Sequence, residues 1–470
     1  MGKLNLLDYE TATGSAIFWE DESSSYSYAS IKKMALAQSA FTSAEKGSIC
    51  ALCGFSPLES WILMLAAWSA GLSVLPFAEK ATQANIDLAL EQLPWALKLE
   101  RSAGEWKRSG NDRDSSEIPL IVSHSSRAAS ARDNPSDVFI MTSGSTGVPK
   151  AIAHSLEGLS VSARATLRFY NWQAGDSWLL SLDPSHIGGL QILLRVWLGR
   201  GLCYYGGEPK AVDDAALRRP CDYLSLVPTQ LFRLLERPEA AKVLRRAKAI
   251  LLGGAATQSS LLEEFRSLVL PVSITYGSSE TASQISAFKA GELPDRQENV
   301  GEVLDIWQLV SNGEHDLRID GPALMQGYWQ KQIWHPVSGP YLLSDRGQLI
   351  DRTLLLDGRR DQVFQVGGEN LAPGEILSLI ESIHPQTDLQ ILARNDEVLG
   401  HKPWLIIRSR RKPALEPLLK AFTALPPIKR PREIWWFASD DVSKLSKAYI
   451  EQLLASGDDH MQRLWTYEKI

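Results

Sequence analysis

The chain has 470 residues, with 49 Lys+Arg against 55 Asp+Glu and a net charge of −6. No basic excess exists to neutralise a phosphate backbone, so nucleic acid is excluded as the main partner. At 44% hydrophobic and 22% charged the usage is that of a globular protein long enough for more than one domain, and four cysteines cannot staple such a length.

Residues 1–10 lack the apolar core of a secretory leader, which points to a cytoplasmic protein. The first strand is predicted at 47–53. Its Cys50 and Cys53 form a lone Cys-x-x-Cys with no second pair at metal-ligand spacing, so they read as buried strand cysteines. Residues 60–78 are uncharged and just long enough to span a bilayer. Gly71 and Pro76 divide them and Glu59 and Glu79 flank them, which predicts a buried helix leading into a strand and no membrane span. Residues 104–135 are rich in Ser, Arg, Asp and Gly and read as an irregular excursion holding one strand at 118–122.

Strands at 137–142, 177–182, 222–227, 249–252 and 272–275 then alternate with amphipathic helices at 157–170, 188–198, 228–236 and 259–268. That alternation predicts an α/β fold of layered, parallel-rich sheets with helices. Near residue 300 the segments shorten (306–310, 315–319, 348–351, 353–356), which suits a small antiparallel, β-barrel-like subdomain over about 300–357. Beyond Asp357-Gly358 a smaller α+β region has its own apolar segments at 388–393, 403–407 and 433–437. The expected division is therefore a large domain, 1–357, and a small mobile C-terminal domain, 358–470.

Residues 139–150 read Phe-Ile-Met-Thr-Ser-Gly-Ser-Thr-Gly-Val-Pro-Lys. An apolar strand runs into Thr142, Ser143, Gly144, Ser145, Thr146 and Gly147 and ends at Lys150. Glycines let backbone approach an anion, hydroxyls donate to it, and the lysine adds a point charge: the chemistry of a polyphosphate grip. A Walker A loop needs Gly immediately before Lys and Ser/Thr after it, whereas here Val148-Pro149 intervene and Ala151 follows.

This loop resembles the nucleotide signature of the acyl-adenylating superfamily, which includes acyl-CoA ligases and peptide-synthetase adenylation domains. Further segments match in order along nearly the whole chain. Leu251-Leu-Gly253-Gly254-Ala255 is similar to the turn beside the adenine, and Tyr276-Gly277-Ser278-Ser279-Glu280-Thr281 to the element that follows it. The resemblance implies that Tyr276 packs on the base, Ser279 meets the α-phosphate, Glu280 ligates Mg²⁺ and Ser278 faces the acyl group. An aromatic face for a base, a hydroxyl for an oxyanion and a carboxylate for a hard cation is fitting chemistry. Asp345, in Ser344-Asp-Arg-Gly347, resembles the ribose-binding aspartate. Gly358-Arg359-Arg360-Asp361 resembles the interdomain hinge, with Arg359 on ribose or phosphate and Asp361 as the hinge. Val442-Ser-Lys444-Leu-Ser-Lys447 aligns with the segment of the adenylation lysine, which is then Lys444. The implied reaction takes ATP with Mg²⁺, and the implied second substrate is CoA.

Within the superfamily the chain is most similar to the o-succinylbenzoate–CoA ligases of menaquinone and phylloquinone biosynthesis, through residues 226–233, 327–329, 364–369 and 399–403. His186-Ile-Gly-Gly189 followed by Arg195 resembles their acyl-pocket segment, with His186 as a catalytic pocket wall and Arg195 as donor to the spared carboxylate. Ser344 and Ser443 stand where the family has Gly, and Lys447 where it has Arg. Another aryl- or acyl-CoA ligase, a freestanding enzyme loading a carrier protein, and a non-catalytic nucleotide binder remain as alternatives, and self-association into a homo-oligomer is left open.

Overall fold

The structure, a computed structural model, describes residues 5–8, 15–41, 44–101, 118, 120–125, 136–142, 149–207, 212–254, 257, 259–296, 298–313, 315–360, 364–366, 369–371, 373–381, 388–396, 399–438, 447–456 and 461–466. Two large sheets organise it. Among the described residues the larger has thirteen strands. Its parallel part runs Ile17–Asp21, Leu202–Tyr205, Ser177–Leu179, Tyr223–Leu226, Ala249–Leu252 and Val272–Ser278 in spatial order. Antiparallel strands then continue it through Ser283–Ala287, Asn299–Val303, Thr353–Arg359 and Tyr341–Ile350. The smaller sheet has eight described strands, with Lys150–His154, Val138–Thr142, Ser73–Pro76 and Ile49–Cys53 adjacent in that order.

One core joins the sheets. Helices Pro57–Ser69, Leu156–Phe169 and Ile187–Gly199 share it with Cys50, Leu52 and Val74 of the smaller sheet and Trp178, Cys203 and Leu251 of the larger. The first of these helices starts at Ser56, whose side chain and Glu59 form a reciprocal capping box, with Pro57 in the first turn. Gly71 then turns the chain at φ +78° into the strand Ser73–Pro76. The uncharged 60–78 stretch is thus a buried helix and a strand, and no described helix is long and apolar enough to cross a membrane. All four cysteines are buried and free, and burial pushes the Cys53 thiol up to about 12.

The α/β reading holds, with shifts that have local causes. The strand expected at 272–275 runs to Ser278, because Ser283–Ala287 folds back along it. Residues 348–351 end a ten-residue strand, Tyr341–Ile350, closed by Asp351 at φ 55°. The strand placed at 118–122 is Leu120–His124. Beyond residue 360, a four-stranded sheet of Asp388–Asp396, Gly400–Ser409, Glu433–Ala438 and Met461–Thr466 has its own buried residues, among them Leu405, Ile407, Leu418 and Ile434.

Candidate active site

Strands Val138–Thr142 and Lys150–His154 pair antiparallel as a hairpin, with Thr142 facing Lys150. Ser143, Gly144, Ser145, Thr146 and Gly147 lie outside the described residues. At the hairpin's far side Lys150 Nζ reaches Glu280 Oε1 at 2.7 Å. Lys150 belongs to the smaller sheet, and Glu280 sits just past the strand Val272–Ser278 of the larger one. The pair therefore spans the junction of the two sheets. Burial would raise the Glu280 carboxyl, but the Lys150 charge and hydrogen bond, helped by Ser278, outweigh it and hold the group below its ordinary range. Glu280 is a carboxylate with a cation already at its oxygen.

Tyr276 donates its hydroxyl to Asp345 Oδ2 at 2.7 Å. Burial and the facing carboxylate push the phenol well above its ordinary value, so it stays a donor. Asp345 lies opposite Arg359 on the paired strands Tyr341–Ile350 and Thr353–Arg359. Three motifs separate in sequence thus supply an aromatic ring, an acceptor carboxylate and a guanidinium to one region. Gly277 is required by close approach: a Cβ there would fall 1.4 Å from the Ser283 carbonyl oxygen. Gly254, next to Gly253 at the end of Ala249–Leu252, turns at φ +82°.

The turn after Glu280 leads to the acyl-side candidates. Ala282 and Ser283 have φ of 52° and 94°, backbone that non-glycine residues seldom adopt. The Ser283 hydroxyl accepts from Arg195 Nη2 at 3.4 Å. Arg195 is 3% exposed on Ile187–Gly199, with its guanidinium 5.4 Å from the centre of the Trp178 ring. Its Nε has no hydrogen-bond partner, and no carboxylate among the described residues comes within ion-pair distance. Burial lowers its pKa to about 10, so the guanidinium remains charged at neutral pH. A helix-surface role for this arginine is thereby ruled out. His186 is the N-cap of the same helix and exposed; its backbone N–H bonds the Asp183 carbonyl at 3.0 Å. Ser278 is engaged locally, its N–H donating to the Thr281 hydroxyl at 3.1 Å and its own hydroxyl 3.2 Å from it. Lys444 and Asp361 lie outside the described residues.

One residue escaped the motif search. His154 is buried at the end of the Lys150 strand, with Nε2 2.7 Å from the Ser279 carbonyl. A carbonyl only accepts, so this nitrogen carries the proton. Burial lowers the imidazole to about 4, which keeps it neutral. The available signal was strand periodicity, which puts residues 150, 152 and 154 on one face.

The AMP-binding enzyme family matches residues 10–329. The chain belongs to the AMP-binding enzyme family. Among relatives, the 2-succinylbenzoate–CoA ligase of Escherichia coli K12 is 34% identical over 270 residues, 56% of this chain and 56% of that enzyme. The chain is thus matched over little more than half the length of that relative. The 2-succinylbenzoate–CoA ligase of Salmonella typhimurium is 29% identical over 358 residues, 74% and 73% of the two chains. The o-succinylbenzoate CoA synthetase of Bacillus subtilis, solved with the acyl-adenylate intermediate OSB-AMP, has the same fold: TM-score 0.75, 22% identity, 93% of this chain and 94% of that one.

The chemistry of the donor set suits a small hard cation. No cluster of three or more His, Cys, Asp or Glu exists among the described residues to cage a metal. Glu280, an ionised carboxylate at the junction, has the Lys150 ammonium at its Oε1, where a cation would find its ligand. One carboxylate with substrate phosphates and water is how Mg²⁺ is ordinarily held.

Proposed function

We propose that the chain is an AMP-forming ligase that activates o-succinylbenzoate with ATP and passes the acyl group to CoA. The observation that carries the acid is Arg195: a buried, charged guanidinium with no carboxylate partner among the described residues and an unpaired Nε. Burying such a charge is costly unless a ligand answers it, and a substrate with one carboxylate to activate and one to spare supplies that answer. The related ligases of E. coli and S. typhimurium are named for the same acid.

A carboxylate is a poor acyl donor because its leaving group is oxide. In the proposed first step a carboxylate oxygen of the acid bonds to the α-phosphorus of ATP, the bond to the bridging β-oxygen breaks, and pyrophosphate leaves. Tyr276, Asp345 and Arg359 bind the nucleoside. The 142–147 loop, Lys150 and the Ser279 hydroxyl hold the phosphates, and Lys444 moves with the small domain to the developing charge. Mg²⁺, held by Glu280, supplies charge neutralisation at the phosphates when bound. In the second step the CoA sulfur, its proton lost to solvent, bonds to the acyl carbon and AMP leaves. The small domain swings about Asp361 between the two steps. ATP and CoA are plentiful in the cytoplasm, the location that fits this reaction.

The test is a ligase assay with ATP, Mg²⁺ and CoA, comparing o-succinylbenzoate with benzoate, a medium-chain fatty acid and an amino acid. The proposal expects AMP and an acyl-CoA product from o-succinylbenzoate alone. Preference for another acid would retire the substrate and the role of Arg195. AMP release that requires a carrier protein rather than CoA would favour a freestanding adenylation enzyme.

A further inference from the structure

Lys150 and His154 stand on one face of one strand, two residues to either side of Ile152. Both reach the same dipeptide of the other sheet. Lys150 holds the Glu280 carboxylate through Nζ, and His154 holds the Ser279 carbonyl through Nε2, each at 2.7 Å. The backbone on the far side of the dipeptide is also fixed, since the Glu280 carbonyl accepts from the Met325 N–H at 2.8 Å. The two contacts from the strand differ in kind. Lys150 points a mobile ammonium into a site that receives phosphate, so an incoming nucleotide competes for it. His154 is 1% exposed and bonds to backbone, so a nucleotide cannot draw it away.

We propose that His154 is a positioning residue that clamps the Ser279 carbonyl, so that the Ser279 hydroxyl and the Glu280 carboxylate stay in register for ATP and its metal when Lys150 turns to the phosphates. The structural link is the hydrogen bond across the two sheets. Without it the 278–281 turn keeps its own Ser278–Thr281 bonds and the Met325 contact but loses the one tie to the Lys150–His154 strand, among the described side chains, that does not compete with phosphate. This inference rests on the reading that Ser279 and Glu280 serve phosphate and metal.

The test compares His154→Gln, which keeps a donor at similar reach, with His154→Met, which fills the space without one. The readout is calorimetric affinity for ATP with and without Mg²⁺ on the full chain, with circular dichroism and Tm as controls of folding. We expect His154→Met to cut the Mg²⁺-dependent gain in ATP affinity by about tenfold or more, as losing a bond to a buried carbonyl warrants. His154→Gln should restore it to within about threefold. Equal gains in His154→Met and wild type would overturn the inference, as would equal losses in both variants, since volume rather than the donor would then matter. Glu280→Gln separates the levels. If it abolishes the gain while His154→Met does not, only the clamp is wrong; if it leaves the gain intact, the metal reading falls and the clamp with it.

Discussion

Among the described residues, Lys150 and Arg195 are two cations that meet the 278–283 turn, and they differ in what answers their charge. Lys150 has Glu280 at 2.7 Å. Its removal leaves a largely buried carboxylate that burial pushes up and no cation among the described residues is shown holding down. Lys150→Met should therefore weaken ATP binding about tenfold or more and cost about 1–3 kcal/mol of stability near neutral pH. The pH sign follows from the lowered Glu280 pKa. In the wild type the pair's contribution is complete above the ordinary carboxyl value of 4.5 and fades as pH falls through the lower folded value. The deficit of Lys150→Met should thus shrink on acidification, measured as Tm against pH; a deficit constant with pH would contradict the pairing. For Arg195 the prediction has two opposed arms. Arg195→Met removes a buried charge without an ionic partner among the described residues, so stability should hold or rise. The KM for o-succinylbenzoate should meanwhile rise about 10–100-fold, with the KM for ATP little changed. A drop in Tm with an unchanged KM would make Arg195 a structural residue.

At the scale of elements, the helix Ile187–Gly199 presents both His186 and Arg195 and is seated by Gly189. A Cβ at Gly189 would lie 2.2 Å from the Asp183 carbonyl oxygen, a backbone atom that cannot swing away. Gly189→Ala should cost about 1–3 kcal/mol in urea unfolding and raise the KM for the acid, because the whole helix must move. Unchanged unfolding would show that the 183–189 turn is looser than its packing suggests. This helix was legible almost to the residue, predicted at 188–198, because its apolar periodicity and flanking glycines agree with its burial. The hairpin about the phosphate loop was legible in its residues but not in its pairing. Thr142 faces Lys150 only because an antiparallel strand returns there, and alternation of apolar segments alone does not distinguish that from a crossover. His154 was missed for a related reason. Its partner is a backbone carbonyl 125 residues away, and no side-chain pattern marks such a bond.

For the molecule as a whole, the junction of the two sheets is where the candidate residues Lys150, Glu280 and His154 gather, and the sheet order that creates it could not be read from the chain. The antiparallel strands after residue 282 continue the parallel sheet rather than standing apart, which brings Asp345 to Tyr276 across 69 residues. What the sequence offered here was chemistry, through motifs whose spacing survives without knowledge of topology. The region beyond residue 360 has its own buried cluster, and the proposal that Lys444 serves one half-reaction makes a separable prediction. Lys444→Ala should abolish ATP–pyrophosphate exchange with o-succinylbenzoate by about 100-fold or more, while thioester formation from supplied acyl-adenylate and CoA is largely kept. Equal loss of both halves would argue against domain alternation. The most direct measurement leaves CoA out. The protein is mixed with ATP, Mg²⁺ and o-succinylbenzoate, and pyrophosphate and bound nucleotide are followed by rapid quench and mass spectrometry. Adenylation at this junction predicts stoichiometric pyrophosphate release and a protein-bound o-succinylbenzoyl-adenylate; release of ADP and phosphate, or no nucleotide consumption at all, would contradict it.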